Sequence, residues 1–179
     1  DEIFYINDGK VTINGQTLRV GMTVQELVDS GFTLGLSITG NGGLNLSVQP
    51  QVPGEKYSST PYYIYKDGEY MDVKFSVYNP NVNSCDFTDS KIYSFSFNSR
   101  FKSPDVECLV NGINVAGMEK EKALQEFENL GVKFDADDKQ KFLNGDNGFI
   151  IGKSGNYSFE LETDDAKKVI ESVTVKNRV

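Results

Sequence analysis

The side chains of this chain that offer chemistry are tyrosines, carboxylates and two thiols, and no imidazole accompanies them. Without histidine, Ser-His-Asp and Cys-His catalysis lack their near-neutral base, and zinc sites built on histidine ligands fall with them. Six tyrosines, Tyr57, Tyr62, Tyr63, Tyr65, Tyr70 and Tyr78, crowd one hairpin-like stretch. On a strand Tyr63 and Tyr65 share a face, and Tyr70 and Tyr78 are expected opposite them. Exposed aromatics on a sheet can stack on sugar rings or anchor a protein partner. Ordinary cross-strand packing favours the same residues. Tyr63, Tyr65, Tyr70 and Tyr78 are the candidate binding residues, weighed against that packing role.

The carboxylates are less selective. Asp135, Asp137 and Asp138 precede an Asn-Gly-Asp cluster at Asn144 to Gly148. Clustered acids can hold Ca²⁺, but the EF-hand spacing, with its sixth-position Gly and terminal Glu, is missing, so a solvated loop is expected. Asp164-Asp165 beside Lys167-Lys168 is weaker still. Glycoside hydrolysis needs two facing acids, and among 26 acidic residues no motif selects a pair. No catalytic residue, cofactor or metal is assigned. Cys85 and Cys108 have no basic neighbour in sequence to lower a thiol pKa. A single disulfide between them and two buried thiols are both open; a bridge would tie the two halves of the chain together.

The elements that must position these residues begin with Gly21-Met22-Thr23-Val24-Gln25-Glu26-Leu27-Val28-Asp29-Ser30-Gly31. Thr23 is placed to cap a short helix, with Glu26 able to reach back to its amide. Val24, Leu27 and Val28 make one apolar stripe, and Gly31 ends the helix. Before it, Ile3 to Ile6 and Lys10 to Ile13 read as strands around Asn7-Asp8-Gly9, and Asn14-Gly15 turns into Gln16 to Val20. After it, Leu44 to Val48 alternates as a strand. Pro61 to Tyr65 and Tyr70 to Tyr78 flank Lys66-Asp67-Gly68-Glu69 as a hairpin, and Ile92 to Phe97 is a further strand.

The text then restarts. Asn111-Gly112 repeats Asn14-Gly15 ninety-seven residues on, and Gly117-Met118 echoes Gly21-Met22. A longer helix over Glu119 to Leu130 carries Ala123, Leu124, Phe127 and Leu130 on one face and closes at Gly131. A loop at Asp135 to Asp138, a hairpin from Phe142-Leu143 to Phe149-Ile150-Ile151, and strands Tyr157 to Leu161 and Val169 to Val175 follow. Ser94 to Arg100 aligns with Ser172 to Arg178. Two copies are therefore expected, recognisable over 8–100 and 106–179, with the chain divided as residues 1–102 and a second, shorter repeat 103–179. The expected fold class is α+β: two tandem copies of a helix packed on its own antiparallel β-sheet.

A chain of 179 residues with 38% hydrophobic and 12% aromatic content can bury a core. Lys+Arg 18 against Asp+Glu 26 gives a net charge of −8, which opposes nucleic acid and anionic lipid surfaces. No apolar run approaches the roughly 18 residues of a membrane span. Asp1-Glu2-Ile3-Phe4 has no basic region leading an apolar stretch, so either no signal peptide existed or it was removed ahead of Asp1.

Gly-Met-Thr, a short helix with Leu or Val on one face, and a closing Gly resemble the repeat of the β-lactamase inhibitory proteins and related small lipoprotein domains. Here the motif stands as Gly21-Met22-Thr23, Leu27-Val28 and Gly31, and more weakly as Gly117-Met118-Glu119 and Gly131. Val77-Tyr78-Asn79, Ser84-Cys85-Asp86 and Lys91-Ile92 are similar to exported or lipid-anchored tandem-repeat proteins of Gram-positive gut bacteria. Glu119 replaces the capping Thr, and no inhibitor contact residue carries over. The resemblance implies an extracellular, secreted or envelope-attached protein, meeting the membrane only through an N-terminal lipid anchor outside this chain. Its expected function is non-catalytic, a binding module for a protein or glycan partner. Inhibition of a secreted enzyme and a carbohydrate-binding or carbohydrate-active role are the rivals.

Overall fold

Strands such as Val73-Lys74-Phe75-Ser76-Val77 alternate large apolar and small polar residues, so every second side chain turns to one side. The computed structural model describes residues 9–99 and 106–177. The first half contains β1 (Lys10–Ile13), β2 (Gln16–Arg19), α1 (Val24–Asp29), β3 (Thr33–Gly35), β4 (Tyr62–Lys66), β5 (Glu69–Tyr78) and β6 (Lys91–Asn98). Then follow β7 (Cys108–Val110), α2 (Lys120–Asn129), β8 (Lys133–Phe134), α3 (Ala136–Leu143), β9 (Phe149–Ser154), β10 (Tyr157–Thr163) and β11 (Ile170–Asn177).

Eight strands make one antiparallel sheet in the order β3-β4-β5-β6-β11-β10-β9-β8, and β2-β1-β7 makes a smaller one. The register lines up the large side chains. Tyr62, Phe75, Phe95, Val175 and Phe159 stand abreast on neighbouring strands, and all are buried. Val24 and Leu27 of α1, Ala123, Leu124 and Phe127 of α2, and Phe142 of α3 join the same core. The Phe127 and Phe159 rings meet at 5.6 Å, which fixes α2 over this inner face. Val11, Ile13, Leu18, Cys108 and Val110 bring the smaller sheet into the same cluster.

The helix ends follow local chemistry. Thr23 Oγ1 accepts from the Glu26 amide at 3.1 Å, which is one half of the expected capping box. Gly31, at φ 100°, ends α1 with its amide donating to Val28 O at 3.0 Å, and Gly131, at φ 88°, does the same after α2. Both helices are entered through one arrangement. Gly21 N–H donates to Ile92 O at 2.7 Å, and Ile92 N–H donates to Met22 O at 2.8 Å. Gly117 N–H donates to Ile170 O at 3.2 Å, and Ile170 N–H donates to Met118 O at 2.8 Å.

The fold class expected from the sequence is corrected. Among the described residues the chain is mostly β, 42% strand against 19% helix, with two sheets and three short helices rather than two helix-on-sheet copies. β6 and β11 pair over five rungs, from Asn98 opposite Ser172 to Ser94 opposite Lys176, so strands from both halves share one sheet. β7 leaves its own half to pair with β1. The physical reason is that each half alone would leave a final strand with unpaired backbone groups, and pairing the two removes both edges.

Local expectations are corrected too. Asp135 to Asp138 is no loop, because Asp135 caps α3 and Asp137 and Asp138 form its first turn. Phe142 and Leu143 end that helix instead of opening a hairpin. Leu46–Val48 is a 3-10 turn, since Asn45 Oδ1 accepts from the Ser47 amide at 3.1 Å and curls the backbone where alternation suggested a strand. The strand over Ile3 to Ile6, the junction at Arg100 to Asp105 and the aligned Arg178 lie outside the described residues.

Candidate functional site

With the apolar residues turned inward, the other side of the eight-stranded sheet is built from the intervening positions. One row across it reads Tyr63, Lys74, Ser96, Thr174, Glu160 and Ile151, each directly opposite the next. A second reads Ser76, Ser94, Lys176, Ser158 and Lys153, and a third Asn98, Ser172, Glu162 and Phe149. All of these side chains are half-buried or exposed. The middle of the face therefore interleaves short hydroxyls with the charged side chains of Lys74, Lys176, Glu160 and Glu162. The Ser96 and Thr174 hydroxyls share a hydrogen bond at 2.9 Å, and Lys176 Nζ pairs with Glu160 Oε1 at 2.5 Å. On the β9 flank Phe149 and Ile151 are exposed apolar residues, 46% and 38% accessible. Tyr63 stands on the opposite flank.

The candidate tyrosines divide into two places. Tyr63, Tyr65 and Tyr70 lie together, with the Tyr63 and Tyr70 rings at 5.6 Å and Tyr65 and Tyr70 at 5.8 Å. Tyr65 is covered by the segment after β3: its hydroxyl donates to Ser37 O at 2.6 Å, and the Gly42 backbone lies against its ring. It is buried, so the packing role accounts for Tyr65. Burial, and then the Asp72 carboxylate, push the Tyr70 hydroxyl well above the usual phenol range. Tyr63 keeps part of its surface in solvent.

Tyr78 sits elsewhere, where β5 ends and β6 begins. Tyr57 stacks on it at 4.2 Å with planes 20° apart, and Tyr93 meets Tyr57 edge-on at 4.8 Å. These three rings, with Pro80, Lys91 and Asn177, line a cavity of about 330 Å³. Tyr93 and Asn177 were not singled out by sequence reasoning. Strict alternation assigns Tyr93 to the inner face with Phe95, but the register between β5 and β6 shifts between Ser76 and Val77, which re-aims it. The only sequence signal is the adjacent Ile92-Tyr93 pair of large side chains opening a strand.

Cys85 and Cys108 form no disulfide. Cys108 is buried in the core on β7, and Cys85 has its thiol pKa raised by burial and by Asp89 and Asp86. Asp135 Oδ1 accepts from the Asp137 and Asp138 amides at 3.0 and 3.1 Å, so this carboxylate serves the helix end. Among the described residues no three His, Cys, Asp or Glu side chains converge as metal ligands, and no helix is long and apolar enough to cross a membrane. No protein family, curated protein or solved structure matches this chain.

Proposed function

We propose that this chain is a non-catalytic binding module of an exported, envelope-associated protein, and that a protein partner meets the outer face of its eight-stranded sheet. The observation that supports this is the register of that face. Ser76, Ser94, Ser96, Ser158, Ser172 and Thr174 occupy its middle, interleaved with Lys74, Lys176, Glu160 and Glu162, while Tyr63 flanks one side and Phe149 and Ile151 the other. Small hydroxyls let a partner approach closely and exchange hydrogen bonds, and the flanking aromatic and apolar groups supply the desolvated anchors that dominate interface energy. Exposed apolar neighbours on a sheet otherwise carry an aggregation liability, which a binding role explains. The export reading rests on the sequence resemblance, with attachment through a lipid anchor ahead of this chain.

The test is retention of surface and secreted proteins on the immobilised chain beside a Ser96→Arg/Thr174→Arg variant shown by circular dichroism to remain folded at the assay temperature. A protein held by the original chain and released by the variant supports the reading; if that protein is a secreted enzyme, its rate in the presence of the chain then reads inhibition directly. Equal retention by both chains sinks it.

A further inference from the structure

We propose that the cavity beside Tyr57, Tyr78 and Tyr93 binds a saccharide residue carrying a carboxylate, such as a uronic or sialic acid. Three demands converge there. The tyrosine pair stacked at 4.2 Å and the edge-on third ring present flat, amphipathic surfaces of the kind that pack against the C–H face of a pyranose. Asn177 Oδ1 is buried and has no hydrogen-bond partner among the described residues, so it lacks a donor such as a sugar hydroxyl. A buried acceptor left unmade is unfavourable, and a ligand hydroxyl would relieve it. Lys91 lines the same cavity without an ion pair among the described residues, in a chain of net charge −8. A lone ammonium in an acidic protein selects an anionic group.

Each simpler ligand leaves one demand unmet. A neutral sugar leaves the Lys91 charge without a counter-ion, and an aromatic acid with no hydroxyl gives Asn177 Oδ1 no donor. An acidic saccharide answers all three, and at about 330 Å³ the cavity lies at the small end of ligand sites, which span about 300–1,000 Å³. The size fits one ring of a chain end. This inference stands apart from the sheet-face reading, because Lys91 and Asn177 lie at the end of the sheet.

A glycan array bearing uronic- and sialic-acid termini beside neutral sugars tests it, followed by titration of the best glycan. Binding confined to acid-bearing glycans is expected, weakened about tenfold by Lys91→Gln, the loss of one charge-assisted contact. Asn177→Leu should weaken it as well, while Ser96→Arg/Thr174→Arg leaves it unchanged, so the two readings fail separately. No bound glycan, equal binding of neutral sugars, or unchanged affinity in Lys91→Gln overturns it. Lys91 is exposed, so its substitution leaves the fold intact and keeps the result decisive.

Discussion

Ser96 and Thr174 occupy matching places in two similar sequence segments and stand directly opposite each other on adjacent strands, hydroxyl to hydroxyl at 2.9 Å. Outward from this rung the sheet runs β5, β4, β3 on one side and β10, β9, β8 on the other. The hydrogen bond therefore sits at the seam between the halves. Ser96→Ala should lower stability by about 1 kcal/mol, because it leaves the Thr174 hydroxyl with one partner fewer. Ser96→Ala/Thr174→Val should cost no more than the single change, since both polar partners are then gone. Urea denaturation of these two variants, of Thr174→Val and of the original chain completes the cycle and measures the coupling; fully additive losses would show that the hydroxyls do not interact.

Asp135→Ala should destabilise the chain by about 1 kcal/mol through loss of the α3 cap. Asp137→Ala and Asp138→Ala should each cost less, about 0.5 kcal/mol, as first-turn charges near a helix N-terminus. Thermal unfolding ranks them. Equal small effects for all three would return this stretch to a solvated loop.

Gly152 lies on the inner face, where a Cβ would come 2.5 Å from Val132 Cγ1 and 2.6 Å from Phe134 Cε1. Gly152→Ala should cost about 1–3 kcal/mol, the usual range for overpacking a core. Combining it with Phe134→Leu should recover part of that loss. A neutral Gly152→Ala in chemical denaturation would contradict the packing of β8 against β9.

Alkaline pH should unfold the chain through its buried phenols. Burial raises the pKa of both Tyr62 and Tyr70. The folded state therefore holds those protons where the unfolded chain, with phenols near pH 10, releases them, so stability falls as pH rises above about 10. Tyr70→Phe should flatten that fall. Phenolate absorbance across the nine tyrosines should show a late fraction that titrates only with unfolding. A single unshifted titration would contradict the burial.

Much of the local structure was legible because it is set by neighbours in sequence. Thr23 with Glu26 marked the start of α1, Gly31 and Gly131 marked helix ends, and Asp67-Gly68, both at positive φ, marked the β4–β5 hairpin. What escaped was decided at longer range or by side chains competing with the backbone. Asn45 turns Leu46–Val48 into a 3-10 turn, and Asp135 starts a helix with weak apolar periodicity. Alternation showed which side of each strand is apolar, but not that β6 pairs with β11, because period-2 patterning carries no record of partner. The tyrosine cavity depended on that same blind spot. A bulge re-aims Tyr93, and Asn177 reaches the site only through the pairing of β11.

The claim beneath both binding readings is that β6 and β11 join the halves into one sheet whose hydroxyls share its outer face. Interstrand nuclear Overhauser contacts in the isotope-labelled chain measure that register directly. Contacts between Ser96 and Thr174, with Phe95 facing Val175 and Phe97 facing Val173, are the expected result. A register displaced by one residue would turn every outer hydroxyl toward the core, and that pattern, or β6 contacts to any strand other than β5 and β11, would contradict the account.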